Sequence, residues 1–334
     1  VKNGPTDRPD FLHLMSWAPI ASIEISKSRA GMLDRARVYF RDHDVLEVTT
    51  PALQKTAATD AGIASMEVNR GGRANFLHSS PEHSMKRMLA AGYPDIFQIC
   101  NVFREGEFGR LHLPEFTMIE WYRIDFTLQE IMQDALDLTR SLLSNKQLPD
   151  AEFVSYASAF GTTLSIDPLT ASSAELADSL AADQDLRNSM GEDRDAWLDL
   201  AIATRVSESF ASDRLTVLHH YPASQAALSR ICPDDSRLAD RFELFWGKIE
   251  LANGFVELTD ADEQRHRFAT DNQKRSDAGQ PVPEIDNELI DALRAGLPPC
   301  AGVALGLDRV LMINEDQNDV RNVTTFLPGG NNDR

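Results

Sequence analysis

The sequence predicts an α+β fold, an antiparallel β-sheet flanked by helices. Two observations carry this. Strand-like runs come as neighbours in sequence, Ile96–Phe103 with Glu115–Arg123 and the stretch 242–258, joined by glycine-containing turns. Helical periodicity is confined to separate stretches, about Lys27–Asp42, 128–146 and 172–211. Strand pairs set between helices point away from an alternating βαβ repeat.

Each element has its own signal. In the first helix Leu33, Ala36, Tyr39 and Phe40 recur at helical spacing. Val45–Thr50 is β-branched and stops at Pro51, which reads as an edge or terminal strand. Ile96–Phe103 is strongly apolar, and a polar loop with Gly106 and Gly109 leads to the next strand. The stretch 172–211 is rich in Asp and Ala and breaks near Gly191. Strands return at 215–219 and 242–258. Thr259 is placed to cap a helix with Asp260, Asp262 and Glu263 in its first turn and Lys274 and Arg275 near its end. That charge order complements the helix dipole. Residues 1–15 and 328–334 read as flexible ends around one folded domain, 16–327.

Composition narrows the class. The 334 residues are 42% hydrophobic and 25% charged, a globular profile. Charges interrupt every long apolar run, so no membrane span is expected. Cys100, Cys232 and Cys300 are scattered and form no C-x-x-C, which excludes a zinc ribbon and points to free thiols in the cytoplasm. The net charge of −19 disfavours broad docking onto nucleic acid.

Three constellations carry chemistry. On Glu115–Arg123, alternation puts Phe116, Met118, Glu120 and Tyr122 on one face, suited to a flat ring plus an ammonium group. A half-buried strand with Glu120 paired to an arginine would explain that run alone. The adjoining Arg104, Arg110 and His112 concentrate cations in an acidic protein, as a polyphosphate site requires. The second constellation is Arg241–Leu258. Gly247-Lys248 and Asn253-Gly254 both signal a turn or bulge, and either reading at Asn253-Gly254 brings Glu250 onto the face of Glu257, with Glu243 diagonal to Glu250. Clustered carboxylates need a cation, and hard oxygens without His or Cys suit Mg²⁺. A solvated acidic hairpin is the alternative, weakened by Phe242, Phe245, Trp246, Ile249 and Phe255 among the acids. The third, Gly302–Ile313, reads as a strand, a glycine turn at Gly306 and a helix carrying Arg309 in its first turn, where the dipole favours anions.

In this order the three elements resemble the motifs of class II aminoacyl-tRNA synthetases, with Val45–Pro51 placed like the first motif at a dimer interface. The lysyl branch is matched by Ser80-Pro-Glu-His-Ser-Met-Lys86 and by Glu250-Leu-Ala-Asn-Gly-Phe255. Glu120-Trp-Tyr-Arg123, Tyr221-Pro-Ala-Ser-Gln-Ala226 and Gly302-Val-Ala-Leu-Gly306 resemble the elongation factor P lysyltransferases, short paralogues without the anticodon-binding domain. The resemblance implies that ATP activates (R)-β-lysine as an adenylate, which is passed to a lysine side chain of elongation factor P. It implies catalytic roles for Arg104 and Arg309. ATP would be held by Arg104, Glu105, Gly106, Glu107, His112, Leu113, Phe116, Glu250, Leu251, Gly306 and Arg309, with Phe116 and Arg309 on either side of adenine, and Mg²⁺ by Glu243 and Glu250. Ser80, Pro81, Glu82, Glu120, Tyr122, Asn253, Phe255, Glu257 and Ala304 would line the amino-acid pocket. A homodimer without stable tRNA binding is implied. Two positions depart from the family: Gly106 replaces an acid and Leu113 an asparagine. A shortened enzyme that charges tRNA and a non-catalytic amino-acid-binding paralogue are the competing readings.

Overall fold

In the computed structural model residues 17–328 are described, and the two expected flexible ends lie outside them but for Leu327's neighbour, Pro328. Ser22 accepts a hydrogen bond from Ile25 N and starts helix α1 (Ile23–Asp42) four residues before the sequence estimate. The strand expected at Val45–Thr50 is two residues long, β1 (Leu46–Glu47). Short strands β2 (Leu53–Gln54), β3 (Glu67–Arg70) and β4 (Arg73–Leu77) form a small separate sheet, which the sequence reading missed. Helix α2 (Glu82–Ala90) leads into β5 (Ile96–Phe103) and β6 (Glu115–Ile124), the expected antiparallel pair. After α3 (Leu128–Leu142) come β7 (Glu152–Ser155) and four helices, α4 (Tyr156–Leu164), α5 (Ser173–Ser179), α6 (Gln184–Met190) and α7 (Arg194–Ala201). Strands β8 (Leu215–Pro222), β9 (Leu238–Trp246) and β10 (Ile249–Val256) follow, then α8 (Ala261–Asp277), α9 (Asn287–Gly296), β11 (Cys300–Gly306) and α10 (Leu307–Asn314).

Eight strands form one sheet in the order β1-β5-β6-β11-β10-β9-β8-β7. The interior pairings are antiparallel, and the outermost pair at each edge is parallel. Alternation gives the sheet two different faces. Phe97, Ile119, Trp121, Val303, Leu305, Phe242 and Leu244 point to one side and join the main core with residues of α1, α3 and α10. The other side is covered only at its ends. Ile96, Tyr122 and Cys300 pack with Met85, Phe268 and Leu289 from α2, α8 and α9. Leu218, Tyr221 and Phe245 pack with α4 to α7 through Tyr156, Phe160, Trp197 and Leu198. An open cleft is left over β6, β11 and β10.

Several local expectations are corrected. The cap of α8 is Asp260, whose carboxylate accepts from Asp262 N and Glu263 N at 2.9 Å; it stands one residue beyond Thr259 and offers a charged acceptor at the positive helix end. Asn253-Gly254 is no turn. Both residues pair within β10, and the bulge is at Leu251, between Glu250 and Ala252. The hairpin turn is Gly247-Lys248, with Gly247 in the left-handed region at φ +51°. Gly306 makes no glycine turn either: at φ −79° it ends β11 and is the N-cap of α10. None of the described helices is long and apolar enough to cross a membrane.

Candidate active site

The cleft holds a cavity of about 530 Å³. Its floor follows from strand register. Glu120 on β6 lies opposite Ala304 on β11, and Ala304 opposite Asn253 on β10; Tyr122, Gly302 and Phe255 form the next row. Small residues on β11 keep the middle of the floor low. A Cβ at Gly302 would stand 2.5 Å from Tyr122 Cε1 and 2.6 Å from Glu257 Oε1, so this strand admits no side chain there without displacing both. The Leu251 bulge shifts the register by one and puts Glu250 opposite Phe245 while Asn253 stays opposite Glu243. Glu243, Glu250, Asn253, Phe255 and Glu257 therefore share one face of the sheet, as the sequence spacing called for, but only Asn253, Phe255 and Glu257 line the cavity itself.

One end of the cavity is acidic and largely buried. Ser80 accepts from Glu82 N (3.0 Å), fixing the entry to α2, and donates to Glu120 Oε2 at 2.7 Å. Tyr122 OH donates to Glu120 Oε1 at 2.8 Å. Glu82 and Lys86 are one helical turn apart, and Lys86 Nζ lies 2.6 Å from Glu82 Oε1 and 2.5 Å from Glu257 Oε2. Burial pushes the Glu257 carboxyl up to about 8, in spite of the Lys86 ammonium. Burial and Glu82 push Glu120 up to about 7. Burial works against the charged form of Lys86, yet Glu257 and Glu82 hold its pKa above the ordinary lysine value. Three carboxylates against one ammonium leave this end two charges short of neutrality when all are ionised.

A cationic group lies toward the other end, where Arg104 and Glu107 line the cavity and Phe116, His112, Glu250, Gly306 and Arg309 stand outside its lining. Arg104 lies over the Phe116 ring, 5.2 Å from its centroid. Its Nε is out of solvent with no hydrogen-bond partner among the described residues, and Nη1 is 3.7 Å from Glu107 Oε1, too far for a hydrogen bond. A guanidinium held this way has donors to spare for an anion. Arg309 donates to Leu111 O (3.1 Å) and Glu250 O (2.8 Å), with Glu250 Oε2 at 3.4 Å. Burial and Arg309 hold the His112 imidazole below its ordinary pKa, with Glu107, Glu250 and Arg104 also in range. Arg104, Glu107, His112, Glu250 and Arg309 thus form one electrostatic group.

Of the expected amino-acid residues, Ser80, Glu82, Glu120, Tyr122, Asn253, Phe255, Glu257 and Ala304 line the cavity, as do Arg104 and Glu107. Pro81 does not line it; it is the N-cap residue of α2. Two expected ATP residues turn away: the Leu113 and Leu251 side chains are in the main core, so only their backbone atoms remain for a nucleotide. Gly106 sits at φ +79°, a conformation in which any side chain is strained, which accounts for the absence of an acid there. Glu107 faces the cavity and Arg104, whereas Glu105 is exposed and joined to Ala64 O through its backbone N. Sequence reasoning missed three contributors. Lys86 was legible as the i+4 partner of Glu82. Arg241, two residues before Glu243, binds Glu243 Oε1 (2.7 Å) and Asn253 Oδ1 (3.2 Å) and lies over Tyr221. Asp308 accepts from Thr117 N (2.7 Å) and from Arg29, bracing the start of α10 next to Arg309.

The match to known proteins decides the family. Residues 15–328 match the family described as tRNA synthetases class II (D, K and N). The chain belongs to that class II synthetase family. It is similar to the elongation factor P–(R)-beta-lysine ligase of Klebsiella pneumoniae subsp. pneumoniae, 44% identical over 93% of this chain and 97% of that protein. Against the protein of the same name from Salmonella arizonae it is 42% identical over the same shares. The α+β class II synthetase architecture expected from the sequence is thereby established.

A largely buried carboxylate, Glu243, raises the question of the family's metal. Burial and the neighbouring Glu250 push the Glu243 carboxyl up to about 7 against the pull of Arg241, while the Glu250 side chain is 41% exposed and has Arg309 Nη1 at 3.4 Å. Hard oxygen donors suit Mg²⁺, and Glu243 and Glu250, on one face of the sheet, are the residues that would hold it.

Proposed function

We propose that the chain is an ATP-dependent ligase that activates (R)-β-lysine and transfers it to a lysine side chain of elongation factor P. The observation that carries this is the charge layout of the cavity. Among the amino acids handled by the D, K and N family, aspartate and asparagine bring no second ammonium. A diamino acid brings two, matching the deficit left by Glu82, Glu120, Glu257 and Lys86. Its carboxylate then points toward Arg104. The names of the relatives supply the acceptor.

In the first step a carboxylate oxygen attacks the α-phosphorus of ATP in line, an O–P bond forms and pyrophosphate leaves. A carboxylate needs no base, so the contribution of this chain is position and charge. Arg104 holds the substrate carboxylate against the α-phosphate. Phe116 and Arg309 flank the adenine. The acidic end fixes both ammonium groups and keeps water away from the anhydride. Mg²⁺, held by Glu243 and Glu250, would neutralise phosphate charge. In the second step the neutral amine attacks the carbonyl carbon, the bond from that carbon to the phosphate oxygen breaks, and AMP leaves while the nitrogen gives a proton to solvent as the amide forms.

Ala304 is assigned a part in substrate choice. It stands opposite both Glu120 and Asn253, on the cavity floor. Its methyl crowds an ammonium on the α-carbon, whereas a β-ammonium one carbon further along clears it. Simple strand packing is the competing account of this alanine.

The chain is further proposed to act in the cytoplasm as a homodimer through the 45–51 region, without stable tRNA binding, in keeping with its charge of −19. The deciding experiment measures pyrophosphate release with (R)-β-lysine, α-lysine and aspartate, then the mass of elongation factor P after incubation. Release with (R)-β-lysine and a matching mass increase are expected. Absence of release with every amino acid would make it a non-catalytic paralogue, and charging of tRNA in place of the protein would make it a synthetase.

A further inference from the structure

We propose that His220, Cys232 and Asp240 form a binding site for one zinc-class divalent cation, apart from the carboxylate pair assigned to Mg²⁺. One ligand atom from each residue lies within 4.8 Å of the others. A tetrahedral ion with bonds of about 2.0–2.3 Å holds its ligands roughly 3.3–3.8 Å apart, so side-chain rotations of about an ångström close the set. Imidazole, thiolate and carboxylate together select zinc over magnesium. Three protein ligands leave a fourth position for water.

The three residues come from three backbone segments that hydrogen bonds hold in register. Cys232 N donates to Leu238 O (2.8 Å) and Asp240 N to Arg230 O (3.0 Å), pinning the 230–232 segment along β9. His220 lies where the β8–β9 register shifts, between the pairs His219–Phe242 and Tyr221–Ala239, so that this one residue of β8 stands opposite the two residues Asp240 and Arg241 of β9. Its φ of +58° is left-handed, a strained conformation for a residue with a side chain. Asp240 is 4% exposed. Arg230 Nε (3.0 Å) and Nη2 (2.6 Å) both converge on its Oδ2, orienting the carboxylate and leaving Oδ1 to the ion. His219 Nδ1, 2.6 Å from His220 Nδ1, steadies the ligand ring. Strained backbone, a buried acid with one oxygen spoken for, and a thiol meeting at one point are the second observation that a chance cluster lacks.

The site lies beside the wall of the cavity. The bulge that aims His220 also turns Tyr221 to the cavity face, and Ser224 and Gln225, which line the cavity, follow directly. A bound ion ties β8, β9 and the 230–232 segment together behind that wall. On binding, the Cys232 thiol gives its proton to solvent as the sulfur–metal bond forms.

Cobalt(II) is the probe, titrated into the full chain and followed by optical absorption. One equivalent is expected to produce a thiolate-to-cobalt charge-transfer band, removed by zinc and untouched by excess Mg²⁺. Cys232→Ser should abolish the band, whereas Cys100→Ala and Cys300→Ala should keep it. His220→Asn, whose side chain tolerates the left-handed backbone, should weaken cobalt binding at least tenfold while the circular dichroism is retained. Absence of the band at one equivalent, or its survival in Cys232→Ser, would overturn the proposal.

Discussion

Replacing Lys86 by methionine tests the electrostatics on which the substrate end depends. Lys86 is 1% exposed and stands within 2.6 Å of carboxylate oxygens from both Glu82 and Glu257. Methionine keeps most of the volume and the contact with Phe255 but removes the charge. Removing one partner of a buried ion pair strands the other, at a cost of about 3–5 kcal/mol. Glu257 suffers most, since Glu82 retains some access to water. The sign with pH follows from proton binding. Glu257 titrates at about 8 in the fold against 4.5 ordinarily, so the folded state holds this proton more tightly than the unfolded chain. Its unfavourable contribution is absent below the ordinary value, grows as pH rises, and is complete above the folded value. Loss of Lys86 raises the Glu257 pKa further and deepens the fall. Glu257 keeps its proton in both folded chains below about 8, so the extra loss in the variant develops only above that value: urea unfolding at about pH 7 and about pH 9 should show its deficit against wild type widen, by up to about 1.4 kcal/mol per pH unit toward the 3–5 kcal/mol of a fully stranded charge. Glu257→Gln in the same chain should restore at least half of that loss, because the stranded charge is gone. A single variant whose deficit does not widen between the two pH values, or a double variant no more stable than the single, would refute the assignment.

Arg309→Ala should lower adenylate formation about 10²–10³-fold, the usual effect of losing one charge-stabilising donor, while two lost carbonyl contacts cost only about 1–2 kcal/mol of stability; near-normal pyrophosphate exchange would remove Arg309 from the chemistry. Glu250→Gln should raise the Mg²⁺ concentration needed for half-maximal exchange, and an unchanged requirement would leave the carboxylate pair without a metal role. Ala304→Gly should improve α-lysine relative to (R)-β-lysine by roughly ten- to a hundredfold, at 1.4 kcal/mol per decade; no relative gain would move selectivity elsewhere, for example to residues 80–82. Sedimentation at micromolar concentration should show a dimer, and a single species of 37.1 kDa would count against the 45–51 interface.

Much of the site was legible because strand alternation is a strong rule. Glu115–Arg123 was placed within one residue, and Glu120 and Tyr122 share the face expected. Long-range partners were not legible in the same way. Arg29 comes from α1 to brace Asp308, and Lys86 reaches Glu257 across 171 positions of sequence, so neither pairing leaves a local pattern. Propensity also misplaced ends and joints. Thr259 and Asp260 are both good caps, and the choice of Asp260 rests on geometry that adjacent letters do not encode. Asn253-Gly254 has turn chemistry yet lies inside β10. Gly254 is there for closeness: a Cβ would come within 2.6 Å of the Phe242 ring and 2.8 Å of Val303.

Two irregular residues decide what the cavity contains. Were Leu251 paired regularly instead of bulged, Glu250 would fall on the core face of β10 while Asn253 and Glu257 stayed on the cavity face. A carboxylate in that core would be unpaired, so the bulge and the acid are selected together. The same reasoning applies at His220, where a left-handed residue switches Tyr221 to the cavity side, under Arg241. Arg241 in turn neutralises Glu243, the acid opposite Asn253. Each bulge thus turns a sequence spacing that is wrong for a regular strand into a face that is right for charge. Because Leu251 is the extra residue, its deletion should make β10 regular and keep Glu250 and Asn253 on the faces they already occupy, so that its cost falls on the core packing of the Leu251 side chain.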